Sequence, residues 1–177
     1  MLTLESLNAD KFISVFLAIG FAEKALPVWE AEYPEDMRPR RAIEAAKEWL
    51  SNPSDAAADT VNAAAARDAA NDAADTAYAA NAAAYAARAA AYAAATAARA
   101  AAYAAPNVAA AYAAYAAANA LEADKETFVH EVILESLDWT LQYKVDNGQS
   151  FGDPELIFDY LDEEKKQSFL FNLDSVA

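Results

Sequence analysis

Residues 54–105 read SDAAADTVNAAAARDAANDAADTAYAANAAAYAARAAAYAAATAARAAAYAA. The stretch holds no proline and no glycine, and alanine is the strongest helix former. Between Asp55 and Ala120, 41 of 66 residues are alanine. That density makes the chain all-α and leaves few side chains there able to do chemistry. Ser54 suits an N-cap, and Asp55 suits the positive end of a helix dipole. One helix over 55–105 would be about 75 Å long, too long for a compact chain of 177 residues. The polar cluster Asn71–Thr76 therefore predicts a bend or break.

Outward from the tract, the flanking residues also read as helices. Upstream, Phe12, Val15, Phe16, Ile19, Ala22 and Leu26 recur at three and four, the spacing of one helical face over 10–33. Pro27 falls inside the pattern and predicts a kink or restart. Tyr33-Pro34-Glu35-Asp36 reads as a turn, and a second helix from Pro39 runs through Ile43, Ala46, Trp49 and Leu50 to Asn52-Pro53. Downstream, Pro106-Asn107 marks a boundary before an alanine helix over about Val108 to Ala123. Phe128, Val132, Leu134, Leu137, Trp139 and Leu141 predict one acidic amphipathic helix. Asp153-Pro154-Glu155 opens a last helix, with Asp as N-cap and Pro at the first position. The expected architecture is one domain over 1–177, a compact bundle of about six to eight helices. It has N-terminal helices over 1–53, the alanine-rich region over 54–121 and acidic helices over 122–177.

The bulky residues of the alanine tract are ordered. Tyr78, Tyr85 and Tyr92 are seven apart, Arg99 continues the series, and Asn81 and Arg88 interleave. With Tyr103 they share one helical stripe between nearly pure alanine faces. Two readings follow. In one, the tyrosines fill gaps between thin helices and the arginines pair with acids. In the other, Tyr78, Asn81, Tyr85, Arg88, Tyr92 and Arg99, with Arg38 or Arg40, line a pocket for a small nucleotide-like ligand. The alanine faces also suit a homodimer. Thr60, Thr76 and Thr96 lack the regular spacing of an ice-binding face.

The net charge is −15, and residues 122–177 alone carry 14 acids and 4 bases. Generic binding to nucleic acid or to anionic membranes needs the opposite sign. A basic partner protein is favoured, and solubility alone explains the charge equally well. The apolar run Phe12 to Ala22 is about half a bilayer span and reads as a buried helix. Acids Glu5 and Asp10 stand where a signal peptide carries bases, so a cytoplasmic protein is expected.

With no cysteine and one histidine, disulfides, thiolate nucleophiles and multi-His metal sites are excluded. No phosphate loop, nucleophile elbow or HExxH pattern is present, and no cofactor or catalytic residue is expected. His130 reads as a partly exposed helix residue. Glu131, Glu135 and Asp138 read as a solvated acidic face rather than a cation site. The basic cluster Arg38-Pro39-Arg40-Arg41 lies between acids, so ion pairs are its ordinary reading; an arginine turned into a site is the other.

Residues 26–50, LPVWEAEYPEDMRPRRAIEAAKEWL, resemble the signature of the Imm5-type immunity proteins of bacterial polymorphic toxin systems. The pieces that carry it are Trp29-Glu30, Tyr33-Pro34-Glu35-Asp36, Arg38-Pro39-Arg40 and Ala42-Ile43-Glu44-Ala45-Ala46, followed by the alanine-rich stretch. The likeness covers roughly residues 20–120 and implies a binding protein of a conflict system. The acidic tail also suits a phage-encoded member that blunts a host defence.

The expectation is a non-enzymatic inhibitor that neutralises a basic toxin or defence effector by stoichiometric binding. Glu131, Glu135, Asp138, Asp159, Asp162 and Glu163 are its contact candidates. Sequestration of a nucleotide-like signal by the Tyr/Arg stripe is the alternative.

Overall fold

The computed structural model describes residues 1–3, 5–51, 68–69, 71–72, 106–150, 152–161 and 166. Among these residues the chain is all-α, with six helices and no strand. Helix α1 spans Lys11–Glu32, and the carboxylate of Asp10 caps it by accepting from the Ile13 N–H at 2.9 Å. Ile13, Val15, Leu17, Ile19, Phe21, Ala25 and Trp29 are all buried, and at 100° per residue the buried positions cover about two-thirds of the circumference. The one-faced helix expected from the spacing is therefore a central helix, surrounded by the others.

Pro27 does not split it. Proline cannot donate to the Glu23 carbonyl, but Ala25, Leu26 and Trp29 are packed on either side of it, and this packing outweighs the lost bond. The continuous helix is consequently long and apolar enough to cross a membrane, twice the run judged from the sequence. In the fold, 61% of its apolar window is buried.

Helix α2, Arg38–Ser51, lays Pro39, Ala42, Ile43, Ala46 and Trp49 inward, a stripe of threes and fours against α1. Helix α3, Pro106–Ala120, makes the most extensive contact with α1. Over residues 110–120 its inner face is alanine: Ala110, Ala113, Ala114, Ala117 and Ala118 are fully buried. Methyl side chains let two helix axes come close, so the alanine faces pack as the composition implied. Tyr112 and Tyr115 point outward, each more than half exposed. The helix closes at Leu121-Glu122, with the Ala123 N–H donating to Ala118 O at 2.9 Å and the Glu122 N–H to Asn119 O at 3.3 Å.

The acidic segment forms two helices where the spacing predicted one. Helix α4 spans Lys125–Glu135 and α5 spans Leu137–Asp146. Ser136 separates them, its hydroxyl donating to the Val132 carbonyl, a local bond that competes with the helix ladder. Asp124 caps α4 through the Thr127 N–H at 2.9 Å. Helix α6, Pro154–Phe158, opens as expected, with Asp153 accepting from the Leu156 N–H at 3.0 Å. Its Ile157 is fully buried.

The first ten residues carry structure that no periodicity signalled. Leu2 and Leu7 are fully buried, and Ser6 O accepts from the Gly152 and Asp153 N–H groups at 3.1 and 3.0 Å. Lys144 is buried to 1% exposure and donates to Asn8 O and Ser150 O, both at 2.9 Å. Burial lowers its pKa, and the nearby Asp10 opposes that. Of the alanine tract before Pro106, residues 68–69 and 71–72 are described and are helical.

Candidate functional site

Two features stand out from the residues upward. The first is a clasp where α1 turns into α2. The buried Trp29 indole donates to Asp36 O at 2.9 Å, and its ring meets Tyr33 with centroids 4.5 Å apart. The Arg38 guanidinium grips Asp36 with both Nε and Nη2, at 2.9 and 2.6 Å. Arg40 donates through Nε to Glu30 at 2.7 Å. Hydrogen bonding from Arg38 holds the Asp36 carboxyl below the usual carboxylate range, and Asp36 in turn raises the Arg38 pKa, with a smaller contribution from Asp72. Three elements of the signature, the Trp-Glu pair, the turn and the Arg-Pro-Arg step, thus have a place in this corner. Arg38 and Arg40, two of the four arginines offered as pocket residues, make ion pairs with neighbouring acids.

The second feature is the surface of α4 and α5. Glu131, Glu135 and Asp138 are exposed there, and so are Leu134 and Trp139. One stripe of α1 carries this surface: Phe12, Phe16, Gly20 and Lys24, four apart. The Lys24 ammonium pairs with Glu135 at 2.9 Å, and a Cβ on Gly20 would lie 3.5 Å from Val132 Cγ1. The Phe16 ring stacks on Trp139 with centroids 3.9 Å apart, and Phe12 stacks on Tyr143 at 4.8 Å. The Tyr143 hydroxyl donates to Asp10 at 3.1 Å, as does Gln149 Nε2 at 2.7 Å. Burial, with the Asp10 charge beside it, pushes the Tyr143 pKa up. On the far side of Phe12, Trp49 sits 6.3 Å away with the Lys11 ammonium 4.6 Å over its ring. Burial lowers the Lys11 pKa.

Asp159 is exposed next to Tyr160, whose ring meets His130 edge-on at 5.0 Å, beside Glu131. His130 is half-buried, and its Nδ1 accepts from the Leu2 N–H at 3.0 Å. It ties the N-terminal loop to α4. Among the described residues no group of three or more His, Asp and Glu side chains is arranged to hold a metal.

Four of the six acidic contact candidates, Glu131, Glu135, Asp138 and Asp159, are therefore at the surface, while Asp162 and Glu163 lie outside the described residues. The same is true of Tyr78, Asn81, Tyr85, Arg88, Tyr92, Arg99 and Tyr103, so the stripe and its pocket lie outside the described residues. The aromatic layer of Phe12, Phe16, Trp139 and Tyr143 was not foreseen as a unit. Its signal was two aromatic pairs at four-residue spacing, one in each of two segments, and nothing local joins them.

A family model described as "Imm-5 like putative immunity protein" matches residues 8–135. The match takes in α1, the clasp, the alanine tract and α4, and it stops before Asp138, Trp139 and Asp159. No curated protein and no solved structure matches the chain.

Proposed function

This chain belongs to the Imm-5 like immunity protein family, and we propose that it is a non-enzymatic inhibitor, neutralising a basic toxin or defence effector by stoichiometric binding. The supporting observation is the exposed carboxylate set Glu131, Glu135, Asp138 and Asp159 on and beside α4 and α5. It belongs to a segment, 122–177, whose 14 acids outnumber its 4 bases. A field of one sign attracts a partner of the other and speeds encounter. Asp138 and Asp159 fall beyond the end of the family match, and Glu135 is its last residue. The closed clasp and the alanine-packed α1–α3 pair supply the rigid scaffold.

The test is the association rate with the effector, measured for the wild type and for a Glu131→Lys, Asp138→Lys, Asp159→Lys triple variant. All three positions are exposed, so the variant keeps its helical content. The association rate is expected to fall by about tenfold at low salt, with the gap closing as salt screens the charges. Unchanged kinetics would remove the acidic surface from the account.

A further inference from the structure

We infer that the open face of Trp139 receives an arginine side chain of the basic partner. The inference rests on the acidic-surface reading above and goes further, to the chemistry of the anchor. Of three tryptophans, Trp29 is 1% exposed and Trp49 5%, whereas Trp139 is 38% exposed. Its inner side is fixed by Phe16 at 3.9 Å, Phe12 at 5.8 Å and Tyr143 at 5.4 Å, all within 20° of parallel. Tyr143 is itself held by Asp10. The indole is thus immobilised before any partner arrives, and little rotamer entropy remains to be lost on binding.

The flanking charge says what should lie on it. Asp138 precedes Trp139 in the chain, and Glu135 ends α4 four residues earlier, across the Ser136 break. Glu135 meets Lys24, eight residues along α1 from Phe16, or about 12 Å. A cation over the indole face is attracted by the ring quadrupole. A planar guanidinium can stack on the ring and still present its edge to a carboxylate; a compact, strongly hydrated ammonium cannot do both. The Lys24–Glu135 pair is exposed on both sides, and such pairs exchange partners at small cost. Arginine is also the cation enriched at interface hot spots.

The probes are nona-arginine and nona-lysine peptides, equal in charge, titrated against the full chain by fluorescence anisotropy. The wild type is expected to bind nona-arginine about three- to fivefold tighter. Trp139→Leu should bind both peptides equally, at the wild type's nona-lysine affinity, and Trp139→Phe should keep an intermediate preference. The phenylalanine variant preserves the stack on Phe16 if leucine disturbs the fold, which circular dichroism reads directly. Equal affinity of the wild type for the two peptides, or a preference that survives Trp139→Leu, overturns the inference and leaves the acidic surface standing. Binding of neither peptide overturns both.

Discussion

Two glycines show how much the fold depends on single atoms. Gly20 lies inside α1, where glycine costs about 0.5–1 kcal/mol relative to alanine. A Cβ there would meet only Val132 Cγ1 at 3.5 Å, an ordinary contact. Gly20→Ala is therefore expected to stabilise the protein by about that amount, read as a rise in Tm of about 1–4 °C. Gly152 is the opposite case, since a Cβ would lie 2.1 Å from the Glu5 carbonyl oxygen, which is backbone. Gly152→Ala forces the N-terminal loop off the 149–153 segment and is expected to cost roughly 1–3 kcal/mol; an unchanged Tm would mean the two loops do not pack this closely. Nothing in the sequence separates these glycines by cause. Gly152 sits among turn formers and Gly20 in an apolar run, but the contact that constrains Gly152 comes from a residue 147 positions away.

At the scale of elements, the clasp between α1 and α2 makes a pH-dependent prediction. The Asp36 carboxyl is held below its usual range by Arg38. A depressed acid adds stability above the pKa of its unfolded form, about 3.9, and that stability disappears as the pH falls through the lower folded value. Asp36→Asn is expected to cost about 1 kcal/mol at pH 7, allowing for partial exposure of the pair. The Tm gap between variant and wild type should shrink toward zero as the pH falls below the usual carboxylate range. A gap that persists in acid would assign the stabilisation to the hydrogen-bond geometry rather than to charge. Helix positions were largely legible, because the period of α2, the Asp153 cap and the Pro106 boundary are local signals. The uninterrupted α1 and the break at Ser136 were not. Both depend on tertiary packing and on one hydroxyl, which outweigh the local propensities. The alanine faces were legible as close-packing surfaces, whereas the outward direction of Tyr112 and Tyr115 is set by which side α1 occupies.

For the molecule as a whole, composition alone was enough for the all-α class, and the charge imbalance is the ground for the basic partner proposed above. The family could be read from residues 26–50, where Trp29, Glu30, Asp36, Arg38 and Arg40 build one corner. Of the surface proposed for binding, only the acids were legible in the sequence. Its aromatic centre joins α1 to α5 across more than 120 residues of chain, and no short-range pattern links such distant positions. The central claim is stoichiometric, non-enzymatic neutralisation. Its most direct test is a titration of the effector's activity with increasing amounts of this chain, repeated after short and long preincubation. The account predicts a linear fall that reaches zero at a fixed whole-number ratio and the same end point at both times. Complete loss at a small fraction of an equivalent, deepening with time, would show turnover and contradict it.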